Sequence, residues 1–246
     1  MNKRAYVVEF LGLPGSGKSY IADHLKAALR ERGLRAISPG ATVTRRPAPI
    51  RVPLKFLLAL IFSLRHPLRA WTVVDKIRRM RQESRGDYAS ATMNLLFVLG
   101  VYHRYRYRPV VLLFDQGFAQ GLVTLLYGAG NRLRYGLLSW LPCPDMEIEV
   151  DASRELVGRR LASRGRPDGA PRQSRVEADS EAALQAALSR TEEAITAVKL
   201  TPWYSGIAAL EQVSGEASGE KLAAQTGEIV DRIASAWETR ESEGRG

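Results

Sequence analysis

Cysteine is almost missing from this chain: one, Cys143, in 246 residues. A lone thiol cannot form an internal disulfide, which excludes a small secreted fold stapled by bridges and fits a reducing compartment. Histidine is nearly as scarce, and His24, His66 and His103 lie too far apart in sequence to suggest a metal motif. Long apolar runs are missing too. The longest, Leu54 to Leu64, is broken by Lys55 and falls short of the roughly 20 residues that span a bilayer. It reads as a buried or interfacial helix. Lys3-Arg4 followed by apolar residues resembles the start of an export signal, but Glu9 interrupts the run, so the expected location is the cytoplasm.

Acidic residues are under-represented, and their deficit is local. The formal net charge is +10, yet between Arg45 and Arg85 eleven Lys and Arg meet only Asp75 and Glu83, a net +9. Such a field attracts an anionic small-molecule acceptor, the head groups of an anionic membrane in peripheral contact, or nucleic acid; a solvated helix surface is the plainer alternative. Tyrosine alternates with arginine in "VYHRYRYRPV". Without a nucleic-acid-binding motif around it, that stretch reads as a helix end with packed tyrosines and solvated arginines.

What is present is a chain that is 45% hydrophobic, ample for one packed domain over 1–246. Residues 5–11 are rich in β-branched and aromatic side chains, and from Ser19 to Arg32 the apolar Ile21, Leu25, Ala28 and Leu29 recur at helical spacing. Between them Gly12 to Ser19 read G-x-x-x-x-G-K-S. In a strand-to-helix turn, Gly12, Gly15 and Gly17 let backbone amides converge at the positive end of the helix, where an anion is stabilised. Pro14, Ser16 and Tyr20 complete the loop. Lys18 adds a cation for the β- and γ-phosphates, and Ser19 a hydroxyl for Mg²⁺.

Further on, a second short strand over 34–38 precedes a turn-rich loop, "PGATVTRRPAP". Helices are expected over 53–64, 67–84 and 88–106, punctuated by Pro53, Pro67 and Gly86. "PVVLLFDQG" has the continuous apolar character of a central parallel strand and ends at Asp115. Helices over 119–127 and 133–140, a strand over 144–151, helices over 153–165 and 180–198, a strand over 206–213 and a helix over 221–237 complete the pattern, with a polar tail at 240–246. Alternating strands and helices imply an α/β fold: a five-stranded parallel sheet, helices on both faces and ligands at the carboxyl ends of the strands. Asp115 is then placed beside the loop, able to hold Mg²⁺ through water or to orient an acceptor oxygen; read alone it is equally a turn residue.

In the order of these motifs, "GLPGSGKS", "VVLLFDQGFAQG" and "CPDMEIEVDASRELVGRRLASRG", the chain resembles the nucleoside monophosphate kinases of the P-loop NTPases, most closely the thymidylate kinase-like branch. "SRVE" at 174–177 resembles the end of that family's lid. The resemblance implies an ATP:acceptor phosphotransferase using Mg²⁺, with an acceptor-side helical segment at about 45–108 and an arginine-rich lid at about 160–178. It implies that Arg160 lies against the adenine, while Arg164, Arg166, Arg172 and Arg175 reach toward phosphates, preorganised cations being what phosphoryl transfer requires. Each of these arginines can equally be a solvated loop residue. Two positions depart from the family: Gln116 stands where an arginine clamps an acceptor phosphate, and Tyr20 where a small hydroxyl residue is usual. The acceptor is therefore open. A nucleotide-dependent switch at a membrane or protein partner, without phosphoryl transfer, is the competing expectation.

Overall fold

The computed structural model describes residues 4–130, 141–163 and 180–243. The expected helix at 133–140, most of the expected lid and the arginines at 164, 166, 172 and 175 lie outside those residues.

The centre of the fold is β1 (Tyr6–Leu11), buried along its whole length. It pairs in parallel with β3 (Val111–Phe114) on one side and β4 (Met146–Asp151) on the other. The two-residue β2 (Ala36–Ile37) flanks β3, and β5 (Ala209–Ser214) flanks β4, giving one all-parallel sheet in the order β2-β3-β1-β4-β5. Side chains alternate across a strand, so β1 feeds two cores. Tyr6, Val8 and Phe10 join the layer of α1 (Lys18–Glu31) and α10 (Gly219–Glu243), while Val7 and Leu11 join the larger opposite layer. Helices thus cover both faces, as expected. Strand order reverses at β1, which opens a crevice beyond the carboxyl ends of β1 and β3.

The larger layer holds α3 (Ala48–Arg65), α4 (Pro67–Arg79), α5 (Arg85–Tyr105), α6 (Phe118–Gly128) and α8 (Glu181–Lys199). Ser84 caps α5 by accepting the Asp87 amide at 3.0 Å. Gly100 lets α3 come close, since a Cβ there would press on the Leu58 carbonyl at 3.0 Å. Two helices correct the sequence reading. The expected loop from Pro39 contains α2 (Pro39–Thr44), whose Ala41 and Val43 are buried. α3 runs through Pro53 instead of starting there; Pro53 forfeits one hydrogen bond in the second turn of a helix that packing holds. The expected polar tail is likewise helical as far as residue 243. A short α9 (Pro202–Ser205), capped by Thr201, has no counterpart among the sequence expectations. Among the described residues no helix is long and apolar enough to cross a membrane.

Candidate functional site

The Gly12–Ser19 loop leaves β1 and enters α1 within a few residues. Gly12, Gly15 and Gly17 have φ of +154°, +88° and +106°, backbone that side chains rarely adopt. At Gly12 the space is closed as well, because a Cβ would collide with the Val150 carbonyl of β4. The left-handed steps at 15 and 17 give the curl that gathers successive amides, and the first turn of α1, whose N–H groups have no partner inside the helix, follows at once. Lys18 curls over the loop, its Nζ donating to Gly12 O at 2.7 Å and Leu13 O at 2.8 Å. Pro14 and Tyr20 border a cavity onto which the loop opens, Tyr20 half exposed with its ring edge-on to His24. Ser16 is buried, its hydroxyl without a hydrogen-bond partner among the described residues.

Asp115 follows β3 and is almost fully buried. The Ser19 hydroxyl donates to its Oδ2 at 3.1 Å, so the turns after β1 and β3 meet through one hydroxyl–carboxylate pair. Sequence separation between them is 96 residues; the parallel register of β1 and β3 brings them together.

Behind Asp115 lies a contact that sequence reading missed. Glu9 of β1 is buried, and its carboxylate accepts the Phe118 and Ala119 amides, both at 2.9 Å, at the start of α6. Burial pushes this carboxyl up to about 7, the two amide hydrogen bonds offsetting part of the effect. In sequence Glu9 marked only a break in an apolar run; its alternation with Val7 and Leu11 on the same strand face was the available signal. Its register partner on β4, Glu147, is buried too and pushed up to about 8, chiefly by desolvation, with Tyr204 holding it partly down.

Arg160 of α7 (Arg154–Ser163) binds carbonyls: one guanidinium nitrogen donates to Gly15 O and Ser16 O, each at 3.2 Å, and the other to Gly215 O at 3.1 Å. It therefore ties the glycine loop to the turn after β5. Among the candidate cations beyond Lys18, it is the one inside the described residues; Arg164 and Arg166 are not.

A cavity of about 1100 Å³ runs from this loop, past Asp115, Gln116 and Gly215, to α3, α5 and α6. Lys55 lies at that far side. Its Nζ donates to Asn94 Oδ1 at 3.0 Å and stands over the Phe97 ring at 5.3 Å. Burial and the neighbouring Arg51 lower its pKa, while Asp115 acts in the opposite sense. Lys55 is the second residue that sequence reading missed as a site member, because it registered only as the interruption of an apolar stretch.

The loop and pair suit a polyphosphate and a divalent ion chemically: a backbone cradle that excludes Cβ atoms, a cation, and a hydroxyl beside a carboxylate. Among the described residues no three His, Cys, Asp or Glu side chains gather to hold a metal unaided, so a cation here would draw on Ser19, Asp115 and oxygens of the ligand. The chain matches no model of a known protein family and no curated protein sequence.

Proposed function

We propose that this chain is a P-loop phosphotransferase that moves the γ-phosphoryl group of ATP to a small anionic acceptor. The observation that carries the reading is the Ser19–Asp115 hydrogen bond, made at the mouth of a loop whose glycines adopt left-handed backbone. In this reading the amides of Gly15, Gly17, Lys18 and Ser19 and the Lys18 ammonium would hold the β- and γ-phosphates, the Ser16 amide being engaged by Leu13 O at 3.1 Å, and Ser19 and Asp115 would hold Mg²⁺. When bound, Mg²⁺ neutralises charge on those phosphates. Asp115 orients the acceptor oxygen and takes its proton as the new P–O bond forms. The bond from the γ-phosphorus to the β,γ-bridging oxygen breaks, and ADP leaves. Lys55 lines the acceptor end of the cavity and provides a cation there, where Gln116 provides none. Arg160 keeps the loop in shape by its three carbonyl contacts, a role different from stacking on the base.

The test is calorimetric titration with Mg-ATP, followed by incubation with nucleotides, sugars, glycan precursors and lipid alcohols and mass detection of a phosphorylated product. The wild-type chain is expected to bind Mg-ATP and Lys18→Ala to bind it at least about a hundredfold more weakly, since a charge-assisted contact is lost. Absence of affinity for any triphosphate would end the proposal. Binding and hydrolysis without a product from any acceptor would instead support the nucleotide-dependent switch; the position of α3, between the cavity and the surface, is the observation that gives that reading its footing.

A further inference from the structure

The outward side of the α3–α4 pair has an unusual composition. Along α3, Phe56, Leu57, Leu60 and Leu64 are exposed, and past the break at His66 so are Leu68 and Trp71 on α4. At their extremes these are not grazing exposures: Leu64 is 74% exposed, Leu68 82% and Trp71 69%. Spacings of three and four residues put Leu57, Leu60 and Leu64 on one face of α3, and Leu68 and Trp71, three apart, share a face of α4, where solvated helices would carry polar side chains. The opposite side of α3 packs through Ala59 and Phe62 into the core, so the exposed leucines are not needed to hold the helix in place.

The charge around this stripe is of one sign. Arg46 and Arg65 are exposed and form no ion pair among the described residues, and Arg69 is held by His103 Nε2 at 3.0 Å, a neutral partner that leaves its charge uncompensated. Of the two acids of the segment, Asp75 is taken up within α4 by Arg79 at 2.8 Å and Arg78 at 3.8 Å, and Glu83 pairs with Arg190, so neither offsets Arg46, Arg65 or Arg69 directly. A second copy of this chain is disfavoured as the occupant, because a self-complementary contact would bring two such cationic segments together. An apolar helical ridge with Trp, edged by unneutralised arginines, fits instead the boundary between acyl chains and anionic head groups.

We infer that the α3–α4 face docks the protein on an anionic lipid bilayer, lying in the interface with Leu64, Leu68 and Trp71 inserted. The inference is independent of the phosphate loop. It does have a geometric corollary: Lys55 and Phe56 are neighbours on α3, one lining the cavity and the other on the docking face, so the acceptor end of the cavity sits next to the membrane surface.

The experiment uses the full chain and vesicle co-sedimentation, comparing phosphatidylcholine vesicles with ones carrying about 30 mol % phosphatidylglycerol, at about 0.1 M salt. Binding to the anionic vesicles is expected, at least about tenfold stronger than to the neutral ones. Leu64→Glu with Leu68→Glu should weaken it about tenfold or more without loss of folding, both side chains being exposed; circular dichroism checks the fold. Lys18→Ala should bind vesicles like the wild type, which separates failure of docking from failure of the nucleotide reading. The tryptophan emission of the wild type should shift to the blue on anionic vesicles, and Trp71→Phe should remove that shift. No partition onto anionic vesicles, or partition untouched by the paired glutamates, overturns the inference. So does light scattering that shows a dimer which the same two glutamates dissociate, since the face would then be a contact between copies.

Discussion

In the proposed reaction Asp115 and Ser19 carry the chemistry, and Asp115→Asn separates two roles that the proposal gives to one carboxylate. The amide keeps the shape and an acceptor oxygen for the Ser19 hydroxyl but neither the charge nor the basicity. Phosphoryl transfer should fall by about 10²- to 10⁴-fold in steady-state assays, the range for loss of a positioned base, while the fold remains. Glu147 offers a test by pH. Its carboxyl is raised to about 8 from an ordinary 4.5, mainly because burial disfavours the charge. The folded chain therefore holds a proton that the unfolded chain has released. This contribution to stability is whole below about pH 4.5 and is lost as pH rises through about 8. Glu147→Gln lacks that titration. The stability of wild type relative to the variant, from urea unfolding at a series of pH values, should fall steadily across this window by a few kcal/mol, since each tenfold change in proton affinity is worth about 1.4 kcal/mol. Wild-type stability that rises relative to the variant with pH would contradict the assignment.

β1, the glycine loop, α1 and β3 were legible because each has a local signature: buried β-branched runs, a spaced motif, a helical period. Their juxtaposition was legible only through the rule that parallel strands align their carboxyl ends. α2 was not, because Pro39 and Gly40 are turn formers by local rules and the helix is held by burial of Ala41 and Val43. Lys55 was not, since periodicity identifies a helix face without saying whether that face meets a cavity, the core or water. Glu9 was hidden by the same gap: its partners lie more than a hundred residues away at the start of α6. Gly117 shows how tightly that junction is built. Its φ of −100° is ordinary, but a Cβ there would overlap the Glu9 carboxyl. Gly117→Ala should destabilise the chain by about 1–3 kcal/mol through overpacking. It should also lower transfer more than it lowers Mg-ATP affinity, because the displaced turn carries Asp115 and leaves the glycine loop alone. Equilibrium unfolding and a split between catalytic rate and nucleotide affinity would read the two effects.

For the molecule as a whole, a ligand that binds only the folded state stabilises it. Mg-ATP at about 100 times its dissociation constant should add about 2.7 kcal/mol. For a chain of this size that is a rise in thermal midpoint of several degrees, which Lys18→Ala should abolish in a melting scan. The same coupling has a time order. Arg160 bridges the glycine loop to Gly215, and Gly215 is pressed so closely on the Ser16 carbonyl that a Cβ would not fit. During translation the loop's sequence is made first and its last support emerges some two hundred residues later. A nascent chain that has not yet reached Gly215 therefore lacks the last brace of the glycine loop, and under the proposed function its competence to take up nucleotide waits for that turn.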